Sequence, residues 1–507
     1  MKRALSSLVL AGFTLPSLAQ SEAPPAYRLH ELTTAAADNQ SLIVARLGQG
    51  PARDLVTLNV ADPAVRTLSL YKFEEGRFEE QAVITRDLDP AVIFADTGRL
   101  GDDEILVLFT GDAAIRYDPL RNRRSVLVNY RSIYKLPLPD RVPQRDLFQD
   151  INADGLDDFV IPGFHGLSVY LQEAGGGFSE AVSIEAAPIA EAQGGGVSYR
   201  TAPYFFAPFY PEGRPAIVSS DAIGLHIHAA TPGGRFEDQA SLPSASLPFE
   251  YASVAEMERD LERDQSGFEA RALHNVADYD NDDLMDLLVY RTSSSGVFEK
   301  TATFELYRGM ISPEGLEFAA EPATGVVSKG MQLDYQQKDL NGDGRLDLQL
   351  ASAELGIGKI IRALLTRSIN VDLGFYLMEE GRYPVEPTVQ RSVRVDFDLA
   401  SGRVSVPLNL TRDLDNDGYE DLIVQTDENE LEIFMGTSGA EIFSREASRY
   451  AVDLPSALDN DSSLTLSFVH FADINDDEIL DILIQHQLRN ADNNKVMVMM
   501  SDDASGV

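Results

Sequence analysis

The chain contains no cysteine among its 507 residues, so neither a disulfide nor a cysteine-linked lipid anchor is available to it. It also lacks an apolar run of about 20 residues, the length that a membrane-spanning helix needs. Its shorter apolar run, residues 4–15, follows two basic residues and precedes a small-x-small sequence, which predicts a signal peptide over residues 1–19. We therefore expect an exported protein, periplasmic, extracellular or at the cell surface, with no transmembrane segment.

Basic residues are scarce, since 42 lysines and arginines are set against 81 aspartates and glutamates, and the formal net charge is −39. Loss of Lys2 and Arg3 with the signal peptide makes this charge −41. Such a surface repels phosphate backbones and anionic membranes, which argues against nucleic acid as a partner. The sequence also has no catalytic serine motif and no phosphate-binding glycine loop.

Aspartate, by contrast, is abundant and recurs in five nine-residue segments of the form Asp-x-Asp/Asn-x-Asp-x-x-x-Asp. Side-chain oxygens at positions 1, 3, 5 and 9 suit a hard cation that takes about six to eight oxygen ligands. The segments predict up to five calcium ions. Their predicted side-chain ligands are Asp150, Asn152, Asp154 and Asp158; Asp278, Asp280, Asp282 and Asp286; Asp339, Asn341, Asp343 and Asp347; Asp413, Asp415, Asp417 and Asp421; and Asp473, Asn475, Asp477 and Asp481.

Each acidic segment is followed at once by a short aliphatic run, which predicts a β-strand. An EF-hand would instead place a glutamate at position 12, on a helix. This chain has Ile161, Val289, Leu350, Val424 and Ile484 there. The segments are therefore predicted to be strand–loop–strand turns.

The same strand signature identifies three weaker copies that have lost most of the acidic residues. They are segments 46–54, 96–104 and 209–215, each followed by an aliphatic run. We predict that these three turns bind no metal.

A second repeated feature lies downstream of most of these strands: an alternating strand, then Gly-x-Phe/Tyr, then an acidic residue. The glycine predicts a turn, and the aromatic residue predicts the start of a fourth strand. Units of four antiparallel strands, repeated about every 50 to 75 residues, predict an all-β fold, a β-propeller. The post-loop strands begin near residues 55, 105, 159, 216, 287, 348, 422 and 482.

These starts predict eight blades, with seven as the alternative if the first weak copy is only a partial repeat. The last unit is one strand short, and segment 27–32 is predicted to supply that strand and close the ring. We expect residues 20–507 to form a single propeller domain with insertions near 250–270 and 355–400. Segment 253–263 predicts a short helix, with Ser253 and Glu256 as a capping box. Segment 359–372 fits a helix or a long strand equally.

With loop, following strand and Gly-Phe turn together, the chain resembles the FG-GAP/VCBS repeat proteins. These are the calcium-binding propeller repeats of integrin α-subunit heads and of many exported bacterial proteins, and the resemblance covers essentially the whole mature chain. It implies that the carbonyl of position 7 also holds the ion. Asp283 and Glu478 replace the glycine of position 6 in two segments, where the tight turn becomes more costly. The position-7 residues are Leu156, Leu284, Arg345, Tyr419 and Ile479.

Few residues outside the acidic segments suggest chemistry. His226 and His228 share one face of a predicted strand, which suits a transition metal, but a solvated or packed strand face is favoured. His165 lies in a predicted loop. The aromatic stretch 199–210, with Arg200 among its rings, suits sugar binding or packing, and packing is favoured.

These features together favour a binding or scaffold module for glycan or protein ligands. The metal is predicted to be structural, because five similar sites spread round a ring look like repeated architecture, whereas a catalytic metal needs an open position beside a substrate pocket. The alternative is a polysaccharide lyase, since some calcium-containing propellers of similar architecture cleave acidic glycans. Tyr199, Arg200 and His165 are its candidates. A third possibility is an integrin-like adhesion module whose ligand binds a loop.

Overall fold

The computed structural model of the chain describes residues 25–35, 40–48, 50–193, 196–209, 213–221, 224–243, 247–263, 268–294, 300–313, 315–329, 331–353, 366–398, 403–405, 408–427, 429–438, 441–452, 464–487 and 494–502. The predicted signal peptide and the first half of segment 359–372 lie outside these ranges. Within them, no helix combines the length and the apolar character that crossing a membrane requires.

The predicted post-loop strands are the second strands of eight antiparallel sheets, and these sheets are the blades of a β-propeller. Eight blades, rather than seven, is therefore correct. Blades 1 to 4 comprise Gln40–Ala45, Asp54–Asp62, Val65–Tyr71 and Ile84–Asp87; Phe94–Leu100, Asp103–Phe109, Ala113–Asp118 and Arg123–Asn129; Phe148–Gln149, Asp158–Gly163, Gly166–Tyr170 and Val182–Ile184; and Tyr204–Phe209, Arg214–Ser220 and Leu225–Ala229, to which a bridge from Ile227 to Ser241 adds a fourth segment.

Blades 5 to 8 repeat the same order of strands. They comprise Phe268–Ala277, Asp286–Ser294, Lys300–Tyr307 and Thr324–Lys329; Met331–Lys338, Asp347–Ala353, Ser368–Tyr376 and Val389–Asp398; Asn409–Arg412, Asp421–Asp427, Glu430–Phe434 and Ser448–Ala451; and Leu464–Ala472, Asp481–Gln487, Lys495–Asp502 and Ala26–Thr33. The second half of segment 359–372 thus begins the third strand of blade 6. A short strand, Arg403–Ser405, joins blade 6 and pairs in parallel with the first strand of blade 8.

The ring closes as predicted, because the fourth strand of blade 8 comes from the beginning of the chain. Ala26–Thr33 pairs antiparallel with Lys495–Asp502 over its full length. Leu32 is buried against this blade, and the Tyr27 hydroxyl donates a hydrogen bond of 2.9 Å to the carbonyl oxygen of Leu480.

The apolar core is a ring of eight clusters, one at each interface between neighbouring blades. The second strand of each blade contributes side chains to the clusters on both sides of its blade, so it is buried on both faces. The strand Asp158–Gly163, for example, is buried at every position. This explains why these strands read as continuous aliphatic runs. Because each cluster lies between adjacent blades, no blade has a complete core of its own.

The antiparallel strand order divides the propeller into two ends. At one, which we call the corner end, the first strand of each blade turns into the second. At the other, the link end, lie the second-to-third turns and the links from each fourth strand to the next blade. The predicted helix is confirmed as Val254–Arg263, in the link between blades 4 and 5, with Ser253 Oγ accepting the N–H of Glu256. An unpredicted hairpin, Ile189–Gln193 with Gly196–Arg200, lies in the link between blades 3 and 4.

Two predictions about local structure are wrong. The aromatic residue of the Gly-x-Phe/Tyr feature does not open a fourth strand. Phe78 belongs to a short hairpin, Phe73–Glu74 with Arg77–Phe78, whereas the fourth strand begins only at Ile84. A similar hairpin, Gly309–Ser312 with Gly315–Phe318, follows the third strand of blade 5. The glycine turn folds each hairpin back so that rings such as Phe78 and Phe318 fill an interface between blades.

Segment 96–104 is also not a weaker copy of the nine-residue loop. The first and second strands of blade 2 pair up to Leu100 and Asp103, leaving a two-residue turn in which Gly101 has a φ of 62°. Asp96 therefore lies within a strand. Its buried carboxylate accepts the N–H groups of Leu147 and Phe148 and so fixes the first strand of blade 3.

Candidate functional site

The five acidic segments form five corners with one hydrogen-bond pattern. In each, the carboxylate of position 1 accepts the backbone N–H of position 5 on one oxygen and that of position 6 on the other. The distances are 3.2 and 2.8 Å at Asp150, 3.1 and 2.8 Å at Asp278, 3.1 and 2.7 Å at Asp339, 3.2 and 3.0 Å at Asp413, and 3.1 and 3.2 Å at Asp473. The sequence pattern thus specifies a loop that gathers its acidic side chains on one side.

The position-9 aspartate anchors each corner to the blade. All five of these side chains have no exposed surface. One oxygen accepts the N–H of position 2. The other accepts an N–H at the end of the third strand, at 2.7 Å from Gln172, 2.8 Å from Gly309, 2.7 Å from Met378, 2.6 Å from Gly436 and 2.7 Å from Ser501. Burial raises the pKa to about 7 in Asp158, 8 in Asp286, 7 in Asp347, 8 in Asp421 and 6 in Asp481.

The position-7 residues, whose carbonyls were predicted as ligands, take part in the same loop. Each donates its N–H to the position-5 carboxylate, at 2.9 to 3.0 Å, in Leu156, Leu284, Arg345, Tyr419 and Ile479. Left-handed backbone is needed twice in every corner, at positions 4 and 6. Asp283 and Glu478, which replace the position-6 glycine, adopt φ values of 65° and 68°. The substituted corners therefore keep the same loop at a cost in backbone strain.

Position 3 supplies the side-chain oxygens that have fewest protein partners. Asp280 Oδ1, Asp415 Oδ1 and Asn475 Oδ1 are buried and accept no hydrogen bond from the described residues. Two groups of carboxylates are close enough to hold one metal ion, with ligand atoms within 4.8 Å of one another: Asp278 with Asp280 and Asp286, and Asp413 with Asp415 and Asp421. A buried oxygen without a donor is unfavourable, and a bound cation would satisfy it.

The corners differ in the protein cations beside them. In blade 5, the Arg308 guanidinium contacts Asp280 and lies 3.1 Å from Asp282. In blade 6, Arg345 Nη2 lies 2.5 Å from Asp343 Oδ2. No basic side chain in the described part of the chain forms an ion pair with the predicted ligands of the blade 7 corner, Asp413 to Asp421. The described ligands of the blade 3 and blade 8 corners also form no ion pair, but each of those corners has an asparagine at position 3, so blade 7 has four carboxylates without a partner cation where they have three.

The described residues of the two remaining weaker copies show how each one meets its blade. In segment 46–54, Asp54 occupies position 9, and its Oδ1 accepts the N–H of Phe73, after the third strand, at 3.4 Å. In segment 209–215 the flanking strands pair as far as Phe209 and Arg214. That these turns bind no metal stays a prediction.

His226 and His228 do not form a shared metal site. His228 is fully buried, and its Nδ1 lies 2.8 Å from the carbonyl oxygen of Glu237 while its Nε2 accepts the N–H of Glu185 at 3.2 Å. Both nitrogens are thus taken by the backbone. His226 lies between two carboxylates, with Glu185 and Asp221 each 3.1 Å from a ring nitrogen.

The aromatic stretch 199–210 divides into packed and exposed rings. Phe205 and Phe209 pack against the core between blades 4 and 5. Tyr199 is 45% exposed and meets Phe164 edge to face, with ring centroids 5.1 Å apart. Arg200 pairs with Glu191 at 2.8 Å. Packing therefore explains Phe205 and Phe209 in the first strand of blade 4. Tyr199, by contrast, lies in the hairpin at the link end.

His165 lies at the mouth of an open cleft of about 770 Å³ between blades 2 and 3. The cleft is lined by the end of blade 2, Asn129 to Arg131, by the turn Gly163 to Gly166, and by strand residues of blade 3. Arg131 and His165 line one cleft because of how the two blades pack, so spacing in the sequence could not reveal that they share it.

Comparisons with known proteins return structures but no sequence relatives. No family model and no curated protein matches the chain. Similar structures include an Agrocybe aegerita lectin that recognises non-reducing terminal N-acetylglucosamine, with 15% identity, 83% of this chain and 82% of that chain covered and a TM-score of 0.39. A periplasmic gluconolactonase of Pseudomonas aeruginosa has 11% identity, 85% and 97% coverage and a TM-score of 0.31. A Vibrio cholerae biofilm matrix protein has 10% identity, 94% and 92% coverage and a TM-score of 0.32. What the chain's own strand pairing establishes is an eight-bladed, ring-closed β-propeller.

Proposed function

We propose that the chain is an exported, calcium-binding propeller of the FG-GAP/VCBS type that acts as a binding or scaffold module for glycan or protein ligands. In this proposal the ions stabilise the corner end, and ligands bind where the links and turns of the other end depart from the repeat. The export step rests on the signal-peptide pattern of residues 1–19.

The observation that carries the metal proposal is the set of five corners with one geometry, three of which hold a buried position-3 oxygen without a donor. Every predicted side-chain ligand is a carboxylate or an amide, with no histidine or sulfur among them. Oxygen-only sites favour hard cations over zinc or copper. Six or more oxygens in a flexible loop favour calcium over magnesium, which demands a stricter octahedron.

The corners support a structural role for the ion. The position-9 carboxylates already bond the end of the third strand, so an ion held there would join the loop, the second strand and the third strand of one blade. An ion that binds only the folded chain stabilises it in proportion to the logarithm of its concentration. Position 7 would contribute its carbonyl, as the family resemblance implies.

The lyase alternative gains less from the geometry. β-Elimination needs a base and a group that neutralises the uronate, and the candidates from the sequence were Tyr199, His165 and Arg200. The Arg200 guanidinium is engaged by Glu191, with Nε 2.8 Å from Oε1. Arg200 is therefore not free to neutralise a uronate.

The metal proposal is tested by titrating calcium into the chelator-treated full chain, by calorimetry with atomic-emission analysis of bound ion. We expect calcium to bind and to raise the melting temperature, and D413N/D415N/D417N to bind about one equivalent less. D102N/D103N is the matched control, because it removes acidic residues from the exposed turn of blade 2. Equal stoichiometry in all three proteins would contradict the assignment.

The module proposal has a separate test, which is retention of the exported chain on immobilised glycans and on extracellular protein extracts. Specific, saturable retention is expected. Retention by neither kind of surface would overturn the binding role even if calcium binds as expected.

A further inference from the structure

A cleft between blades 2 and 3 forms a concave surface that is separate from the five acidic corners. Its volume, about 770 Å³, falls in the range of roughly 300 to 1,000 Å³ typical of small-molecule and sugar sites. It opens at the link end, because the turn Gly163–Gly166 connects the second and third strands of blade 3. It is therefore separate from the acidic corner of the same blade.

The walls of the cleft are fixed before any ligand arrives. The Tyr130 hydroxyl lies 2.8 Å from the carbonyl oxygen of Thr110, and the Tyr170 hydroxyl donates to the carbonyl oxygen of Asn129 at 3.2 Å, from blade 3 to blade 2. The N–H of Ile133 donates to the carbonyl oxygen of Pro162 at 3.0 Å, which ties the link to the second strand of blade 3. A site with fixed walls loses little conformational entropy on binding.

Several polar side chains in this cleft have no partner in the part of the chain that the structure describes. Asn129, Arg131, His165, Ser168 and Ser183 make no hydrogen bond or ion pair with any described residue through their side chains. Arg131 and His165 are exposed at the mouth. Ser168 and Ser183 are paired across neighbouring strands and so lie on the same face of blade 3. The cleft thus offers hydroxyl, amide, imidazole and guanidinium groups together.

No aspartate or glutamate is among the described residues that line the cleft, although the whole chain carries a net charge of −39. The acidic corner of blade 3 lies at the other end of Asp158–Gly163, about 17 Å away at 3.3 Å per strand residue. That separation is about twice the screening length of roughly 8 Å at physiological ionic strength. The charges of that corner are therefore largely screened from Arg131.

An aromatic ring also lines the cleft. Phe164 is 42% exposed at the tip of the turn, with Tyr199 packed edge to face against it at 5.1 Å. Gly166 makes this turn possible, because its φ is 134° and a Cβ there would lie 2.1 Å from the carbonyl oxygen of Ile184. A supported ring that is exposed in this way offers the apolar surface against which the C–H face of a sugar packs.

We propose that this cleft binds an acidic oligosaccharide, with the carboxylate of a uronic acid residue on Arg131 and His165 and a sugar ring on Phe164. The planar guanidinium suits bidentate recognition of a carboxylate. Ser168, Ser183 and Asn129 are placed for the sugar hydroxyl groups. This inference rests on the proposed function as a binding module and adds the class of ligand and its location.

The test uses trigalacturonate and its methyl-esterified, uncharged counterpart as probes, titrated into the full chain in calcium and followed by calorimetry. We expect trigalacturonate to bind and the ester to bind at least about tenfold more weakly. R131Q should weaken trigalacturonate binding by about tenfold or more, and F164A by about fivefold. R123Q, which changes an exposed arginine at the far end of the fourth strand of blade 2, is the matched control and should bind like the wild type.

The possible results separate this inference from the broader proposal. Equal binding of acid and ester, or unchanged binding in both R131Q and F164A, would overturn the acidic-glycan site while leaving a binding module elsewhere on the ring. Failure of the wild type to bind trigalacturonate overturns the inference, and the retention experiment then decides the module proposal independently. Circular dichroism spectra that match the wild type establish that the variants are folded.

Discussion

Replacing Asp415 by asparagine is expected to have opposite effects on stability in the presence and absence of calcium. In the blade 7 corner, burial, together with the charges of Asp417 and Asp413, raises the pKa of Asp415 to about 6. A carboxyl whose pKa is raised in the folded state stabilises the fold below its unfolded value of 3.8. That contribution is lost as the pH rises through about 6. At pH 8 the ion-free corner therefore carries a charge that opposes folding.

The size of the effect follows from the shift in pKa. Two pKa units correspond to roughly 3 kcal/mol. Because the side chain is only about half buried, solvent screening reduces this to roughly 1 to 2 kcal/mol. Asparagine keeps the shape and one oxygen but removes the charge, so D415N should melt roughly 1 to 3 °C higher than the wild type in chelator at pH 8. At pH 4 the two proteins should differ much less.

In saturating calcium the sign reverses, because the variant has lost a charged ligand. A hundredfold loss of affinity at one site removes about 2.8 kcal/mol of stabilisation, which exceeds the roughly 1 to 2 kcal/mol that the variant gains in chelator. Differential scanning calorimetry in chelator and in calcium, at pH 8 and pH 4, measures all four conditions, with D102N as the control for an exposed acidic residue. If D415N is less stable than the wild type in chelator at pH 8, the carboxylate acts through packing or hydrogen bonding, and the repulsion argument fails.

Three further predictions concern other parts of the ring. Leu32→Asp should destabilise the chain by about 3 kcal/mol or more in thermal unfolding, because it buries a charge in the closing strand. Leu29→Asp lies on the same strand but is 38% exposed, so it should change stability little. Equal effects of the two substitutions would contradict the proposed closure. Asp283→Gly should raise stability by about 0.5 to 1 kcal/mol by relieving a φ of 65°, as measured by calorimetry, and a loss would contradict the strain argument. Arg308→Gln should tighten calcium binding at the blade 5 corner, because the guanidinium competes for Asp280 and Asp282, whereas Arg116→Gln, at an exposed ion pair, should leave the titration unchanged.

The repeat made the architecture predictable because it occurs in every blade. The aliphatic runs after the turns are continuous because the second strands pack against both neighbouring blades. The spacing and the number of these runs were therefore enough to predict eight blades. The position of Tyr27 to Leu32 followed from one missing strand in the last unit. Local pattern was sufficient wherever it was repeated.

Prediction from the sequence failed where a residue's role depends on which distant residues it pairs or bonds with. Asp96 looked like position 1 of a loop, but the two-residue turn at Gly101 extends the strand pairing past it. The second partners of the position-9 aspartates lie 14, 23, 31, 15 and 20 residues downstream, so no fixed spacing encodes them. The cleft depends on Arg131 and His165 coming from different blades. Sequence spacing therefore predicts the corners better than it predicts the link end.

The pairing of Ala26–Thr33 with Lys495–Asp502 also dictates the order in which the molecule can be completed. Ala26–Thr33 is synthesised long before its partner Lys495–Asp502, so the ring stays open until nearly the whole chain has been made. Until then, the outer edge of Lys495–Asp502 has exposed backbone hydrogen-bonding groups that another chain can bind. A chain that lacks even the last strand alone could not close the ring. Such a chain should accumulate as aggregates rather than as a seven-bladed ring.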